Sequence, residues 1–177
     1  GIMRYGIRGM TIFIGVCLLI SNILENLSIQ TGFPFGFYHY TNSLGPKLFA
    51  VPLLIGPAYF STGYLSWTIG NVLLERADRH LNLLRVIALP LVASFIMVMW
   101  DLVMDPTSST INHLWIWHTE GGFFGVPLSN YLGWFLTVYL FFQVFAFYLL
   151  KLHRFREDTV PKSYWYLSTL SYLVIGL

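Results

Sequence analysis

Charged residues are scarce in this chain of 177 residues, where they make up only 10% of the total. A soluble domain usually carries about 25% charged residues. Apolar residues reach 56%, and the mean hydropathy is +0.64. The composition therefore predicts an integral membrane protein embedded in the lipid bilayer. The length leaves room for about four to six helices of roughly 20 residues each.

Three other features that the sequence has little of, or lacks, exclude further structures and functions. The single cysteine, Cys17, lies in an apolar run, which excludes an intrachain disulfide. The net charge of +2 is too small to indicate a nucleic-acid partner. The sequence also has no nucleotide-binding glycine loop, no nucleophile elbow, no low-complexity segment and no convincing repeat. We therefore predict a single transmembrane domain over residues 1–177.

The apolar runs predict an all-α, polytopic transmembrane bundle with about five spans. The predicted spans run from about Met10 to Leu27, Leu48 to Leu74, Leu83 to Met104, Asn130 to Leu150, and from Ser163 to Leu177. Ser129 or Asn130 is expected to cap the fourth helix. The last run reaches only ~22 Å at ~1.5 Å per residue, short of the ~30 Å hydrocarbon core. We expect this span to be truncated in the given sequence.

The second span contains helix breakers. Pro52, the pair Gly56-Pro57 and Gly63 all interrupt it. Proline removes one backbone donor and clashes with the preceding turn of a helix. We therefore predict a kinked or broken helix, with the bend near Gly56-Pro57.

The basic residues predict the orientation in a cell membrane. Nine of the ten Lys and Arg fall in alternate connectors, and only Lys47 falls on the other side: Arg4, Arg8, Arg76, Arg79, Arg85, Lys151, Arg154, Arg156 and Lys162. The positive-inside rule places these nine, and with them the N-terminal segment, on the cytoplasmic side. Six further groups are expected to be solvated loop charges there: Glu75, Asp78, His80, His153, Glu157 and Asp158.

Two carboxylates lie one helical turn apart at the end of the third span, in Trp100-Asp101-Leu-Val-Met-Asp105-Pro106. The spacing places Asp101 and Asp105 on the same helix face, and Pro106 is expected to end the helix. Burial and a like-charged neighbour favour the neutral carboxyl, so we expect at least one of the pair to keep its proton near neutral pH. Asp101 lies ~6 Å deeper and is the expected general acid. The alternative for Asp105 is that it merely caps a turn.

Glu25 is a third candidate catalytic residue. It shares one helix face with Ser21, Asn22 and Ser28, which should point into the bundle because polar groups are costly beside lipid. Glu25 could take part in proton transfer or orient a water molecule. The alternative is a structural hydrogen-bond anchor between helices.

Aromatic residues crowd the two connectors opposite the basic side. Residues 31–40 contain five aromatics, and the segment from Trp100 to Trp134 adds several Trp rings but no Lys or Arg. These rings form either an interfacial aromatic belt or the wall of a pocket for a flat, polyunsaturated ligand. In a pocket, each ring would stabilise a cation by about 0.5–2 kcal/mol. The predicted substrate-binding residues are Tyr38, Tyr40, Trp100, Trp115, Trp117, Phe124, Asn130 and Trp134.

A metal site is the less favoured interpretation of the histidines on this side. His113 and His118 do not have the spacing of a helical ligand pair, although Glu120 is near them and His39 lies in the other connector. We predict hydrogen-bonded or interfacial histidines, with neither a metal nor a cofactor.

Three sequence blocks carry a family resemblance. They are Glu25 with Phe35-Gly36-Phe37-Tyr38-His39-Tyr40, then Leu44-Gly45-Pro46 with Pro52, and finally Asp101-x3-Asp105-Pro106 through Trp115-x-Trp117 to Phe124-Gly125-Val126-Pro127-x2-Asn130-x2-Gly133-Trp134. On these blocks the chain resembles the carotenoid biosynthesis membrane proteins that include the C-1',2' carotenoid hydratases. The last block is the most specific of the three.

The resemblance implies that water is added to the terminal isopropylidene double bond of an acyclic carotenoid, giving a tertiary alcohol without a redox cofactor. Our hypothesis is that Asp101 or Asp105 protonates the double bond, and that Glu25 or the second aspartate holds the water. The alternatives are another terpenoid or metal-dependent membrane enzyme, such as an end-group cyclase, and a non-catalytic carotenoid-binding subunit. Neighbouring carotenoid-pathway enzymes or a second copy of the chain are possible partners.

Overall fold

A computed structural model of the chain describes residues 1–152 and 160–175. Within these ranges the chain folds into five helices: α1 (Ile2–Thr31), α2 (Ile55–Leu73), α3 (Arg85–Asp105), α4 (Leu128–Leu152) and α5 (Lys162–Ile175). Two short antiparallel strand pairs lie in the connectors: β1 (Tyr38–Tyr40) with β4 (Trp115–Trp117), and β2 (Lys47–Leu48) with β3 (Val51–Pro52). The predicted all-α membrane bundle is confirmed.

Three helices are long and apolar enough to cross a membrane in the part of the chain that the structure describes. They are α1, α3 with its continuation to Ile111, and α4. Helix α2 has 19 residues and directs several polar side chains into the bundle, among them Ser66 and Asn71. Helix α5 has 14 described residues. The chain is therefore a membrane protein with three helices of spanning character, and the second and fifth spans stay predictions.

Helix α1 extends past the predicted span at both ends. Gly6 interrupts its first turns with a φ of 67°. The helix ends at Thr31 because Gly32 adopts the left-handed conformation, with a φ of 79°, and its N–H donates to the carbonyl of Ser28. Only a residue without Cβ adopts that conformation at little cost. After this turn the chain folds back onto α1, where Ser28 Oγ donates to the carbonyl of Gly36 at 2.9 Å.

The second predicted span is broken, but the predicted bend near Gly56-Pro57 is wrong. Residues Lys47–Leu48 and Val51–Pro52 form a hairpin instead of helix, and α2 starts only at Ile55. Pro57 therefore lies in the first turn of α2, where a backbone N–H would have no helical partner anyway. The N–H of Ala58 makes the bond to the carbonyl of Leu54, at 3.1 Å. The proline starts this helix and does not bend it.

The ends of α3 and α4 differ from the prediction in detail. The α-helix does end at Asp105, but the chain continues as a π-helical turn over Pro106–Ile111. Helix α4 begins at Leu128, so Ser129 and Asn130 lie inside it and the predicted capping role is wrong. Their side chains bond to other segments instead, as Ser129 Oγ does to the carbonyl of Phe35 at 2.9 Å.

Aromatic rings fill the centre of the bundle. Phe13 of α1 is 1% exposed and packs against Phe141, Phe142 and Phe145 of α4, with ring centroids 4.8–6.3 Å apart. Trp67 of α2 is fully buried and contacts two of the same rings. Aromatic side chains bury large areas, so this cluster fixes α1, α2 and α4 against each other.

At the opposite end from the β-strands, five residues form a buried cluster that we call the Arg4 cluster: Arg4, Tyr5, Trp67, Asn71 and Asp78. Arg4 binds the Asp78 carboxylate with two N–H groups, one of them Nε at 2.8 Å from Oδ2. The Tyr5 hydroxyl donates to the same oxygen at 2.5 Å. The backbone N–H of Asp78 donates to Asn71 Oδ1 at 3.0 Å, and Trp67 Nε1 donates to Tyr5.

The Arg4 cluster corrects one prediction from the sequence. Asp78 is 1% exposed, so it is not a solvated loop charge. Its partner is 74 residues away in sequence, and together they tie the start of α1 to the connector after α2. The other predicted loop charges Glu75 and His80 are exposed. His153, Arg154, Arg156, Glu157 and Asp158 lie outside the described residues.

Candidate active site

A small cavity lies among the ends of α1, α2, α3 and α4 that are furthest from the Arg4 cluster. Its volume is about 50 Å³, counted as the space open to the centre of a water molecule. A cavity needs about 10–15 Å³ by this measure to hold one water, so it has room for a few. It is lined by Glu25, Phe35, Tyr38, Tyr40, Ile55, Ala58, Tyr59, Trp100, Met104, Asp105, Trp115, Trp117, Asn130 and Trp134.

Glu25 forms one wall of the cavity and is 3% exposed. Three tyrosine hydroxyls donate to its carboxyl group. Tyr38 and Tyr40 share Oε2, with Tyr40 at 2.9 Å, and Tyr59 donates to Oε1 at 2.7 Å. Both oxygens act as acceptors, as they do in an ionised carboxylate. Ser21 and Ser28 of the same helix face are also buried, which confirms that this face points into the bundle.

Tyr38 and Tyr40 lie in the connector between α1 and α2 and keep their protons. Burial raises the pKa of each phenol well above its ordinary value, and the nearby Glu25 carboxyl raises it further. Both hydroxyls therefore stay protonated, and able to donate, near neutral pH. They orient the Glu25 carboxyl and do not supply a second negative charge.

Asp105 also lines the cavity, and Asn130 of α4 links it to Asp101 behind it. Both carboxyl groups are buried, and Asn130 Nδ2 donates to Oδ2 of each, at 3.2 Å for Asp101. Asp105 also accepts a hydrogen bond from Trp115 Nε1 at 3.0 Å on its other oxygen. Asp101 Oδ1 is buried and has no hydrogen-bond partner among the described residues.

The two aspartates are therefore not equivalent. Asp105 lines the cavity and has an N–H donor at each oxygen, which suits an ionised group. Asp101 does not line the cavity and has one oxygen free of donors. A protonated carboxyl carries its O–H on such an oxygen.

The strand pair β1–β4 forms a cover over the cavity. Its register pairs Tyr38 with Trp117 and Tyr40 with Trp115, and all four of these side chains line the cavity. Alternate residues of a strand point to opposite faces, so one face of the pair is entirely aromatic and faces inward. The neighbouring rings lie 4.9 Å and 5.8 Å apart. Tyr59 and Trp134 stack at 4.3 Å, with 8° between their planes, and add a further wall.

The outward face of the cover carries two histidines. His39 Nδ1 and His118 Nε2 are 2.8 Å apart, and the rings are stacked. Both side chains are exposed. No group of three or more metal-ligating side chains occurs in residues 1–152 and 160–175.

One glycine allows the first connector to reach α4. A Cβ added at Gly133 would lie 2.8 Å from the backbone of Pro34 and 2.7 Å from the Phe35 ring. Contacts that short would displace the connector, so only glycine permits this approach. Phe35 is thereby held against Gly133, one residue before Trp134 in the cavity wall.

Comparisons with known proteins identify the family. The family model described as "Carotenoid biosynthesis protein" matches residues 1–177. The chain belongs to this carotenoid biosynthesis family. It is 32% identical to bisanhydrobacterioruberin hydratase of Haloarcula japonica over 125 residues, which is 67% of this chain and 39% of that relative. The chain thus covers less than half of the relative's length. No solved structure matches it.

In this member of the carotenoid biosynthesis family, most of the residues predicted for substrate binding lie together. Seven of the eight line the cavity, and their role in binding stays a prediction: Tyr38, Tyr40, Trp100, Trp115, Trp117, Asn130 and Trp134. Phe124 does not. It is 72% exposed, because Phe124 and Gly125 both have positive φ in a tight turn between the paired residues Phe123 and Val126.

Five cavity residues were not predicted from the sequence: Phe35, Ile55, Ala58, Tyr59 and Met104. Tyr59 matters most, because its hydroxyl binds Glu25. No local pattern marks it, since the contact arises only when α2 packs against α1. Phe35 was named in the family block but not among the binding residues.

Proposed function

We propose that this chain contributes the catalytic site of a membrane carotenoid hydratase, a hydro-lyase type of enzyme. It would add water to the terminal isopropylidene double bond of an acyclic carotenoid. Membership of the carotenoid biosynthesis family and the likeness to a hydratase support a carotenoid-modifying role. The observation that carries the reaction type is the cavity, which is lined by the buried carboxyl groups of Glu25 and Asp105 and by aromatic rings.

The first step is protonation of the double bond at its less substituted carbon. The Asp101–Asp105 pair supplies the proton: the Asp101 carboxyl gives it to the Asp105 carboxylate, and Asp105, which lines the cavity, passes it to the double bond. Asn130 holds both carboxyl groups next to each other and so couples them. The positive charge then lies on the tertiary carbon of the end group.

The cavity suits this cation. No Lys or Arg lines it, and Lys47 Nζ donates instead to the backbone carbonyl of Tyr40 at 2.6 Å. Negative carboxylates and ring faces stabilise a positive charge in a site with little water. Each ring contributes about 0.5–2 kcal/mol.

The second step is capture of the cation by water. The water oxygen bonds to the tertiary carbon, and its surplus proton passes to a carboxylate. Before the next turnover that carboxyl gives up its proton and the aspartate pair regains one, so the cycle consumes no net proton. The sum is an alkene plus water giving a tertiary alcohol, with no electrons gained or lost, so no redox cofactor takes part.

The hydration is tested in cells that accumulate lycopene or another acyclic carotenoid. Expression of the chain, joined to the remaining length of its natural protein where that exists, should give pigments heavier by one water molecule. Liquid chromatography with mass analysis detects them. A pigment of unchanged mass but altered retention would instead indicate end-group cyclisation. Unmodified pigment that co-purifies with the protein would indicate a binding subunit.

We further propose that the Arg4 cluster faces the cytoplasm and the β1–β4 cover faces the other side. The nine-to-one division of basic residues supports this orientation. Single cysteines placed at the exposed positions His80 and Glu120, with Cys17 replaced, should react with a membrane-impermeant thiol reagent from opposite sides. Reaction of both from the same side would refute the topology.

A further inference from the structure

We propose that Tyr59 is a catalytic residue that relays the proton of the attacking water to Glu25. This inference rests on the hydration proposed above. It assigns the base of the second step to Glu25 and Tyr59 on one side of the cavity, and leaves the acid with the aspartate pair on the other.

The hydrogen-bond pattern around Glu25 singles out Tyr59. Tyr38 and Tyr40 both donate to Oε2, and their rings belong to the cover. Tyr59 donates alone to Oε1, at 2.7 Å, and comes from α2. Because its proton points to Glu25, the lone pairs of its oxygen remain to accept a hydrogen bond from water in the cavity.

The ring of Tyr59 is held firmly in place. It is 1% exposed, and it stacks on Trp134 of α4 with 4.3 Å between the ring centroids. Its helix starts only four residues earlier, at Ile55. A relay needs a donor and an acceptor that stay within hydrogen-bond reach, and a stacked, buried ring provides this.

The relay conserves atoms and charge. The water oxygen forms a bond to the tertiary carbon while one water O–H bond breaks. That proton goes to the Tyr59 oxygen, and the Tyr59 hydroxyl proton goes to Oε1 of Glu25. The cation, a water molecule and the Glu25 carboxylate become the alcohol and the Glu25 carboxylic acid.

Hydration in heavy water tests the relay, because deuterium uptake reports protonation of the double bond and alcohol formation reports capture of the cation by water. Tyr59→Phe removes only the hydroxyl and keeps the ring that stacks on Trp134. We expect it to lower alcohol formation by about 10²-fold, the lower end for a lost acid–base group. The cation should still form and then lose a proton again, so the recovered carotenoid should gain deuterium at its terminal double bond. Glu25→Gln should give the same pattern.

Tyr139→Phe is the matched control, because Tyr139 lies on α4 outside the cavity and packs on Phe135. This variant should form alcohol and take up deuterium at the wild-type rates. Alcohol formation at the wild-type rate in Tyr59→Phe would overturn the relay. So would a parallel loss of alcohol and of deuterium uptake, since that is the pattern of a structural role. Wild-type protein that forms no alcohol at all would refute the hydration itself, and the relay with it.

Discussion

Asp101→Asn should lower the rate of hydration by about 10²- to 10⁴-fold, the usual contribution of general acid–base catalysis. The amide keeps the size of the side chain and can still accept the hydrogen bond from Asn130, which lies 3.2 Å away. It has no acidic proton to give. In heavy water this variant should lose deuterium uptake together with alcohol formation, because the cation no longer forms. Chromatography and mass analysis of the carotenoids measure both.

Glu120→Gln is the matched control for this variant. Glu120 is exposed and does not line the cavity, so the same change from carboxyl to amide should leave the rate unchanged. A correctly folded Asp101→Asn protein that hydrates its carotenoid at near the wild-type rate would place the proton donor elsewhere. Asp105, which faces the cavity, and Glu25 would then be the next residues to test.

Asp78→Asn should destabilise the fold by about 3–5 kcal/mol, the usual cost of removing one partner from a buried ion pair. The Arg4 guanidinium would stay buried beside an amide that cannot balance its charge. A thermal melt in detergent should show the loss as a lower unfolding midpoint. Molecules that remain folded should keep their hydration rate, since Glu25 lies 21 residues along α1 from Arg4, roughly 30 Å at ~1.5 Å per residue.

The exposed neighbour Glu75 supplies the comparison for Asp78. Glu75→Gln removes a carboxylate from the same connector, and it should leave the melting midpoint unchanged. Replacing both partners, as in Arg4→Met with Asp78→Leu, should recover part of the lost stability because no uncompensated charge remains. An Asp78→Asn protein with the wild-type midpoint would show that the ion pair does not hold the two segments together.

The helices could be predicted because lipid requires long apolar runs, and those runs are local in the sequence. Their ends could not be placed as well. Gly32 ends α1 one turn past the predicted limit, and Pro57 starts α2 where a kink was expected. A proline is unfavourable inside a helix, but its presence alone does not show whether it lies at a bend or in a first turn. Because the hairpin before α2 is also apolar, its residues could not be distinguished from helix in the sequence, and Pro57 was placed in the middle of a span.

In the candidate site, too, the features set by local spacing could be predicted, and those set by contacts between distant segments could not. The spacing of Asp101 and Asp105 placed them on one helix face, and the structure has them bound to the same Asn130 side chain. The cover could not be predicted, because Tyr38 and Trp117 pair across 79 residues. The burial of Asp78 could not be predicted either, because its partner Arg4 belongs to a distant segment of the chain. Local patterns identify the chemical groups, whereas tertiary packing decides which of them meet.

The origin of the new oxygen atom tests the central claim most directly. Membranes containing the protein are incubated with an acyclic carotenoid in water labelled with heavy oxygen, and the product is analysed by mass spectrometry. We expect a tertiary alcohol whose oxygen carries the label, formed equally well without molecular oxygen. A product that takes its oxygen from air, or one that is isomeric with the substrate, would contradict that claim.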